Sequence, residues 1–301
     1  MDSKLSSAFS STPLSAHGPR WSSFWDESYT PWDRAGPSAA LLDILATRPD
    51  LVPPPPPPSS DLSPPARPTA LVPGCGRGHD ALLLANMGYD VLALDFSPTA
   101  IIQAKQNQQL VESAGRGDQV SDLYRARQQN GAEPGSVTWA SGDFFDSAWL
   151  DNWPSTTFDL IFDYTVCPSP LTLFSFNPPL QFLCALAPSA RPLWAARVTA
   201  LLAPTTGRLV CLEFPSGKPL STPGPPWGLT PEIYLALLAR PGDPVSFSSS
   251  TTDGDAHDVV VIPAPSGGGL RRLELVKPAR THAAGTNEDG TVRDWIHVWS
   301  H

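Results

Sequence analysis

The chain has 301 residues, enough for one large domain, of which 41% are hydrophobic and only 16% charged, with 36 prolines. Against usual shares of about 25% charged residues and about 5% proline, this describes a folded apolar core interrupted by proline-rich loops. The net charge of −9, with no basic run, excludes a phosphate-backbone partner such as nucleic acid. No apolar stretch reaches the roughly 20 residues that cross a bilayer.

Residues 1–20 are serine-rich, with few large apolar groups to offset the entropy of ordering, and are expected to be a flexible N-terminal segment. They lack the apolar stretch of a secretory signal, so the expected location is cytoplasmic, with no membrane partner. Order is expected from Trp21, where W-S-S-F-W-D-E-S-Y-T-P-W gathers aromatic area that must be buried. Ser38 reads as an N-cap, and Leu41, Leu42 and Leu45 follow at helical spacing. Residues 49–68 hold the unbroken run Pro53–Pro58, an extended polyproline spacer or surface loop without internal hydrogen bonds.

Ala70–Val72 is a short buried strand stopping at Pro73-Gly74. An apolar helix follows over Asp80–Met87, then a strand over Tyr89–Leu94 ending at Asp95. Strand, glycine turn, helix and strand make a crossover unit of a parallel sheet. Ser97-Pro98 opens a helix to about Ser113, with Ser as cap and Pro at the first helical position. Residues 115–136 are polar and read as an insertion. Strands are expected over Val137–Ala140, Phe158–Phe162 and Arg208–Phe214, and helices over Ala190–Leu202 and Glu232–Leu238. Leu270–Val276 and Val292–Trp299 alternate as a terminal antiparallel pair. Residues 243–269 read as a long loop around one strand-like run, Val259–Ile262. The fold class is therefore α/β: a Rossmann-like, mostly parallel seven-stranded sheet with helices on both faces and a C-terminal antiparallel pair.

Val72-Pro73-Gly74-Cys75-Gly76-Arg77-Gly78-His79-Asp80 carries the strongest local signal. Its glycines let backbone approach a ligand closely. A dinucleotide fingerprint needs G-x-G-x-x-G, whereas the spacing here is G-x-G-x-G, which disfavours a nicotinamide oxidoreductase. With Asp95 at the end of the next strand, the pattern suits a nucleoside whose ribose hydroxyls a carboxylate holds. Each piece has a plainer alternative: the glycines can serve the turn alone, Asp95 can cap the next helix, and Asp143-Phe144 can be an ordinary turn. Three strand ends suited to one nucleoside favour the ligand reading. Cys75, Cys167, Cys184 and Cys211 form no C-x-x-C pair and the six histidines are scattered, so no metal site and no disulfide framework are indicated.

The segments L-V-P-G-C-G-R-G-H-D, V-L-A-L-D-F-S-P-T-A-I, G-D-F-F, F-D-L-I-F-D-Y-T and W-D-E-S-Y-T-P-W-D resemble the thiopurine methyltransferase-like superfamily, closest to the halide/thiol methyltransferases of plants and fungi. The resemblance covers about Trp21 to Trp299 outside the insertions at 49–68, 115–136, 166–181 and 243–269, and implies one methyltransferase domain over 21–301. It implies S-adenosyl-L-methionine as cofactor, walled by Trp21, Trp25 and Trp32, with Gly74 near its methionine portion and Asp95 on the ribose. Asp143 and Phe144 would contact the adenine, and Tyr164 would close the methionine end. Core packing is the plain alternative for each Trp.

The implied chemistry is in-line displacement of a sulfonium methyl by a thiol, hydrosulfide or halide, a step that needs alignment and desolvation more than proton transfer. No catalytic residue is nominated. Gly224-Pro225-Pro226 resembles the family's G-G-P-P segment over the acceptor pocket, with Pro223 where the first Gly belongs. Val166–Gln181 interrupts what would otherwise read F-D-Y-T-F-L-C-A-L. A valine codon begins with GT and a glutamine codon can end in AG, so a translated, in-frame intron is one reading. A rival function is a catalytically silent binding protein whose proline run, Pro53–Pro58, recruits a polyproline-reading domain.

Overall fold

A computed structural model describes residues 3–33, 36–57, 66–114, 124, 133–164, 182–252 and 255–301. Three helices come first: α1 (Ser3–Ser10), α2 (His17–Asp26) and α3 (Ala39–Thr47). The core then alternates β1 (Thr69–Pro73), α4 (His79–Asn86), β2 (Asp90–Asp95), α5 (Pro98–Ser113), β3 (Val137–Ser141) and β4 (Leu160–Asp163). It continues through α6 (Phe182–Ala185), α7 (Arg191–Leu201), β5 (Arg208–Glu213) and α8 (Pro231–Ala239). The strands β6 (Ser246–Thr252), β7 (Asp255–Val261), β8 (Arg271–Val276) and β9 (Trp295–Ser300) complete the chain.

Seven strands form one sheet in the order β3-β2-β1-β4-β5-β9-β8. The first five are mutually parallel, with Leu71 beside Leu92 and Ile161, while β9 runs antiparallel to both β5 and β8. The α/β class with a C-terminal antiparallel pair is therefore as expected.

Strand alternation divides the core in two, because successive side chains point to opposite faces. Val72, Val91, Ala93, Phe162 and Val210 pack with Ala40, Leu41 and Ile44 of α3 and Leu83 and Leu84 of α4. Their neighbours Leu71, Leu92, Leu94, Ile161, Leu209 and Cys211 pack with Trp194 and Val198 of α7 and Ile233 and Leu237 of α8. Helices consequently cover both faces, and the strands read as continuous apolar runs. The predicted caps form as written: Ser38 accepts from Leu41 N–H and Ser97 from Ala100 N–H, each at 3.2 Å.

Residues 3–20, within the segment expected to be flexible, contain α1 and the start of α2, with Leu5 and Phe9 buried against Phe24, Trp25 and Trp32. Leu5, Ala8 and Phe9 lie at i, i+3 and i+4, an apolar stripe that the surrounding serines conceal. The stretch 243–269 is not a loop around one strand, because Ser246–Thr252 pairs antiparallel with Asp255–Val261 as a two-stranded ribbon. The expected insertion at 166–181, Cys167 and Pro58 lie outside the described residues, as does most of 115–136.

Candidate active site

The glycine turn after β1 is built on three left-handed residues, Gly74 (φ 64), Gly76 (φ 53) and Gly78 (φ 74), a conformation that favours glycine. At Gly78 the requirement is doubled, since an added Cβ would stand 2.2 Å from the Trp139 ring. The turn is pinned to the neighbouring strand by Cys75 N–H donating to Leu94 O at 2.9 Å.

Asp95 closes β2 directly beside this turn. Its Oδ2 accepts from Gly76 N–H and its Oδ1 from Ser97 N–H, both at 2.9 Å. Burial pushes its carboxyl up to about 6, against the lowering effect of those two donors. The plain alternative for Asp95 is thus partly realised, because it organises the entry to α5. Each carboxylate oxygen still has acceptor capacity for a second donor.

α2 delivers the aromatic wall. Trp21 and Trp25 are four residues apart and so share one helix face, and Trp32 comes back across them, its ring 5.2 Å from Trp21 and 5.8 Å from Trp25. These three indoles, Gly74, Asp95 and Phe96 line a cleft of about 570 Å³ together with Phe182, Ala185 and Leu186 from α6 and just beyond it. A second chamber of about 270 Å³ shares Trp25, Trp32 and Gly74 with it. Asp33, Cys75, Gly76, Arg77, His79 and Tyr164 complete that chamber.

Of the residues singled out from sequence, Trp21, Trp25, Trp32, Gly74 and Asp95 meet around the larger chamber and Tyr164 joins at the smaller. Tyr164 is buried, its ring 6.0 Å from that of His282. Asp143 and Phe144 are not among the lining residues of either. Asp143 is exposed and accepts from Phe145 N–H at 2.9 Å, an ordinary turn contact. Phe144 is buried in the second core, its ring 5.0 Å from Phe182, so it backs a lining residue instead of being one. Sequence reasoning missed Phe96, Phe182, Asp33, Arg77 and His79. Phe96, Arg77 and His79 lie within the quoted motifs, and Asp33 ends the aromatic segment; Phe182 follows the undescribed stretch and carried no signal.

The expected acceptor-side segment, Gly224-Pro225-Pro226, runs beside the N-terminal aromatics. Trp227 packs there, with His17 stacked 6.3 Å away, and its N–H donates to Cys184 O at 2.9 Å. Lys218 Nζ donates to Pro223 O at 3.0 Å and to Pro226 O, so a buried ammonium shapes the segment. Burial pushes the Cys75 thiol up, with the Asp95 charge adding to the effect. Among the described residues, no three His, Cys, Asp or Glu side chains gather as a metal site, and no helix is long and apolar enough to cross a membrane.

The family model for thiopurine S-methyltransferase (TPMT) matches residues 17–253. The chain is 30% identical over 218 residues to probable thiol methyltransferase 2 of Arabidopsis thaliana, covering 72% of this chain and 70% of that protein. It is 28% identical over 241 residues to thiocyanate methyltransferase 1 of Brassica oleracea, covering 79% and 78%. A solved TehB-like SAM-dependent methyltransferase from Corynebacterium glutamicum is similar with TM-score 0.42 and 18% identity, over 95% of this chain and 98% of that one. The matched residues 17–253 include every element that lines the two chambers, from α2 to the stretch after α6, and the chain belongs to the thiopurine S-methyltransferase family.

Proposed function

We propose that the chain transfers a methyl group from S-adenosyl-L-methionine to a small soft nucleophile: a thiol, hydrosulfide or halide ion. One observation carries the reading: an apolar, indole-walled cleft that contains a single buried carboxylate, Asp95, at the carboxyl edge of the parallel strands. A ribose diol asks for such an acceptor, and an adenine for such a wall. When bound, S-adenosyl-L-methionine supplies a sulfonium methyl that an incoming anion displaces in line, the sulfur keeping the bonding pair as a neutral thioether.

The chain's own residues hold and dry this site. Asp95 holds the ribose while its donors Gly76 and Ser97 keep the carboxylate oriented. The Trp25 and Trp32 faces attract the sulfonium charge and exclude water, which raises the reactivity of a weakly hydrated anion. Iodide, bromide and hydrosulfide need no general base in the step, so no side chain is assigned one. Relatives named as thiol and thiocyanate methyltransferases support this acceptor class.

The test is incubation of purified protein with methyl-deuterated S-adenosyl-L-methionine and a panel of iodide, bromide, thiocyanate, hydrosulfide and small thiols, with headspace mass spectrometry. Labelled methylated product with at least one acceptor is expected. Cofactor binding without any labelled product would defeat the acceptor assignment.

A polyproline-reading partner is a second, compatible role. Val52 and Pro55 are buried while Pro53, Pro54, Pro56 and Pro57 are exposed. That three-residue rhythm is the period of a polyproline helix lying on the protein by one face and presenting the other two.

A further inference from the structure

The segment after β5 has a hydrogen-bonding problem that its own composition creates. Proline brings a carbonyl but no N–H, so within Pro223-Gly224-Pro225-Pro226 only Gly224 can donate from its backbone. Gly224, Pro225 and Pro226 are buried, and buried carbonyls need donors from elsewhere. Lys218, itself buried, supplies them: its ammonium donates to Pro223 O at 3.0 Å and to Pro226 O. A second buried cation, Arg191 at the start of α7, donates to Gly228 O at 3.1 Å. Burying an ammonium is costly, and here it fixes a donor-poor loop in one shape.

The loop so held, residues 216–229, touches two elements that line the cleft. Its base is shut where Ser216 pairs with Leu229 and where Gly228 lies so close to Lys218 that an added Cβ would stand 2.5 Å from Lys218 O. Trp227 N–H donates to Cys184 O at 2.9 Å in α6, next to the cleft residue Ala185. The Trp227 ring stacks on that of His17, the first residue of α2, with centroids 6.3 Å and planes 10° apart. α2 carries Trp21 and Trp25 of the same cleft. We infer that Lys218 is a positioning residue: through the loop it closes, it ties α6 to α2 and keeps the cleft walls in place for the cofactor, on the reading above that the cleft takes S-adenosyl-L-methionine. Walls in place only part of the time lower apparent affinity by that fraction, whereas a bound ligand holds them closed. The chemical step, in which Lys218 touches no reacting atom, then keeps its rate.

Two measurements test this. In amide hydrogen exchange without ligand, Lys218→Met keeps an unbranched apolar chain and removes the donors. It should speed exchange about tenfold or more over both 182–186 and 17–26, the size expected for a lost charge-assisted bond, with β1 to β5 unchanged. Trp227→Leu leaves Lys218 and its two carbonyls alone and should speed exchange over 17–26 only, because the backbone bond to Cys184 stays. In steady-state methyl transfer, Lys218→Met should raise KM for S-adenosyl-L-methionine about tenfold with kcat within about threefold. Lys218→Arg keeps donors and should bring KM back toward that of the unaltered protein. A role in stability alone gives the reverse, a lower kcat from lost folded enzyme at unchanged KM, and that result overturns the inference. Unchanged exchange over 17–26 in either variant overturns it too, so Trp227→Leu keeps the test decisive if Lys218→Met does not fold. Failure of the unaltered protein to bind the cofactor overturns the reading of the cleft, and the exchange measurement, which uses no ligand, still decides the tie.

Discussion

At the scale of single residues, the ribose contact proposed for Asp95 would couple cofactor binding to pH. Its carboxyl, pushed up to about 6 by burial, accepts ribose donors best when ionised. Cofactor affinity should therefore be full above about pH 6 and decline as pH falls below it. Asp95→Asn should flatten that profile and weaken binding at pH 8 by about 1.5–3 kcal/mol, ten- to a hundredfold. A parallel pH profile in the variant would remove Asp95 from the ribose. Asp163 behaves differently because it is buried in the core, bound by Trp194 Nε1–H at 2.7 Å and Leu183 N–H at 3.4 Å. Burial raises its carboxyl to about 7 from an ordinary 3.8. Ionisation therefore costs the native state: the group's contribution to stability is complete below pH 3.8 and is lost as pH rises through about 7. Urea titrations should show Asp163→Asn gaining on the unaltered protein between these limits and running parallel to it above them. Gly78→Ala combines a left-handed φ with a Cβ driven into Trp139. It should cost about 1–3 kcal/mol in the same assay, and a neutral result would mean the turn and ring can move apart.

At the scale of elements, α1 was legible only in part. Its three apolar residues have the right spacing, but eight residues rich in serine carry little helix propensity and nothing local shows what they pack on. The answer is tertiary: Phe9 meets Trp21 at 4.7 Å, and Lys4 bridges to Glu27 and lies 3.8 Å from the Tyr29 ring centre. Phe9→Ala should free α1 before the sheet is affected, raising amide exchange over residues 3–26 and loosening cofactor binding by way of Trp21. Unchanged exchange would show that α1 is held by other contacts. The ribbon β6-β7 was hidden for a related reason. Ser246–Thr252 has no apolar run to mark it, and its pairing rests on the backbone bonds of Asp255–Val261. Among the described residues of the proline run, Pro53–Pro57, none lines either chamber. Deleting residues 53–58 should leave methyl transfer within about twofold, as surface segments remote from a site usually do, and a larger loss would tie that loop to the active site.

At the scale of the molecule, the site follows from where the sheet's order turns. β1 is flanked by β2 on one side and β4 on the other, and the helices that follow β1 and β4 cover opposite faces. The crevice at the carboxyl ends of such strands is where open α/β sheets take ligands. Gly74 after β1, Asp95 at the end of β2 and Tyr164 after β4 stand there, which is why residues far apart in the chain line adjoining chambers. α2 and α6 then roof the crevice with Trp21, Trp25 and Phe182. Family membership extends over this whole arrangement.

The amino-acid sequence alone determined the parallel sheet, its caps, the glycine turn and the acid that faces it. These depend on apolar runs, glycine's freedom at positive φ and side chains that hydrogen-bond within a few residues, all of which are local. Only the tertiary structure decided that Asp143 and Phe144 fall outside the lining of both chambers, that Leu5 and Phe9 brace the cleft wall, and that Asp33, Arg77 and His79 share a chamber. Those outcomes depend on which surfaces meet after the chain has crossed the sheet several times, and no short window of residues contains both partners of such a contact.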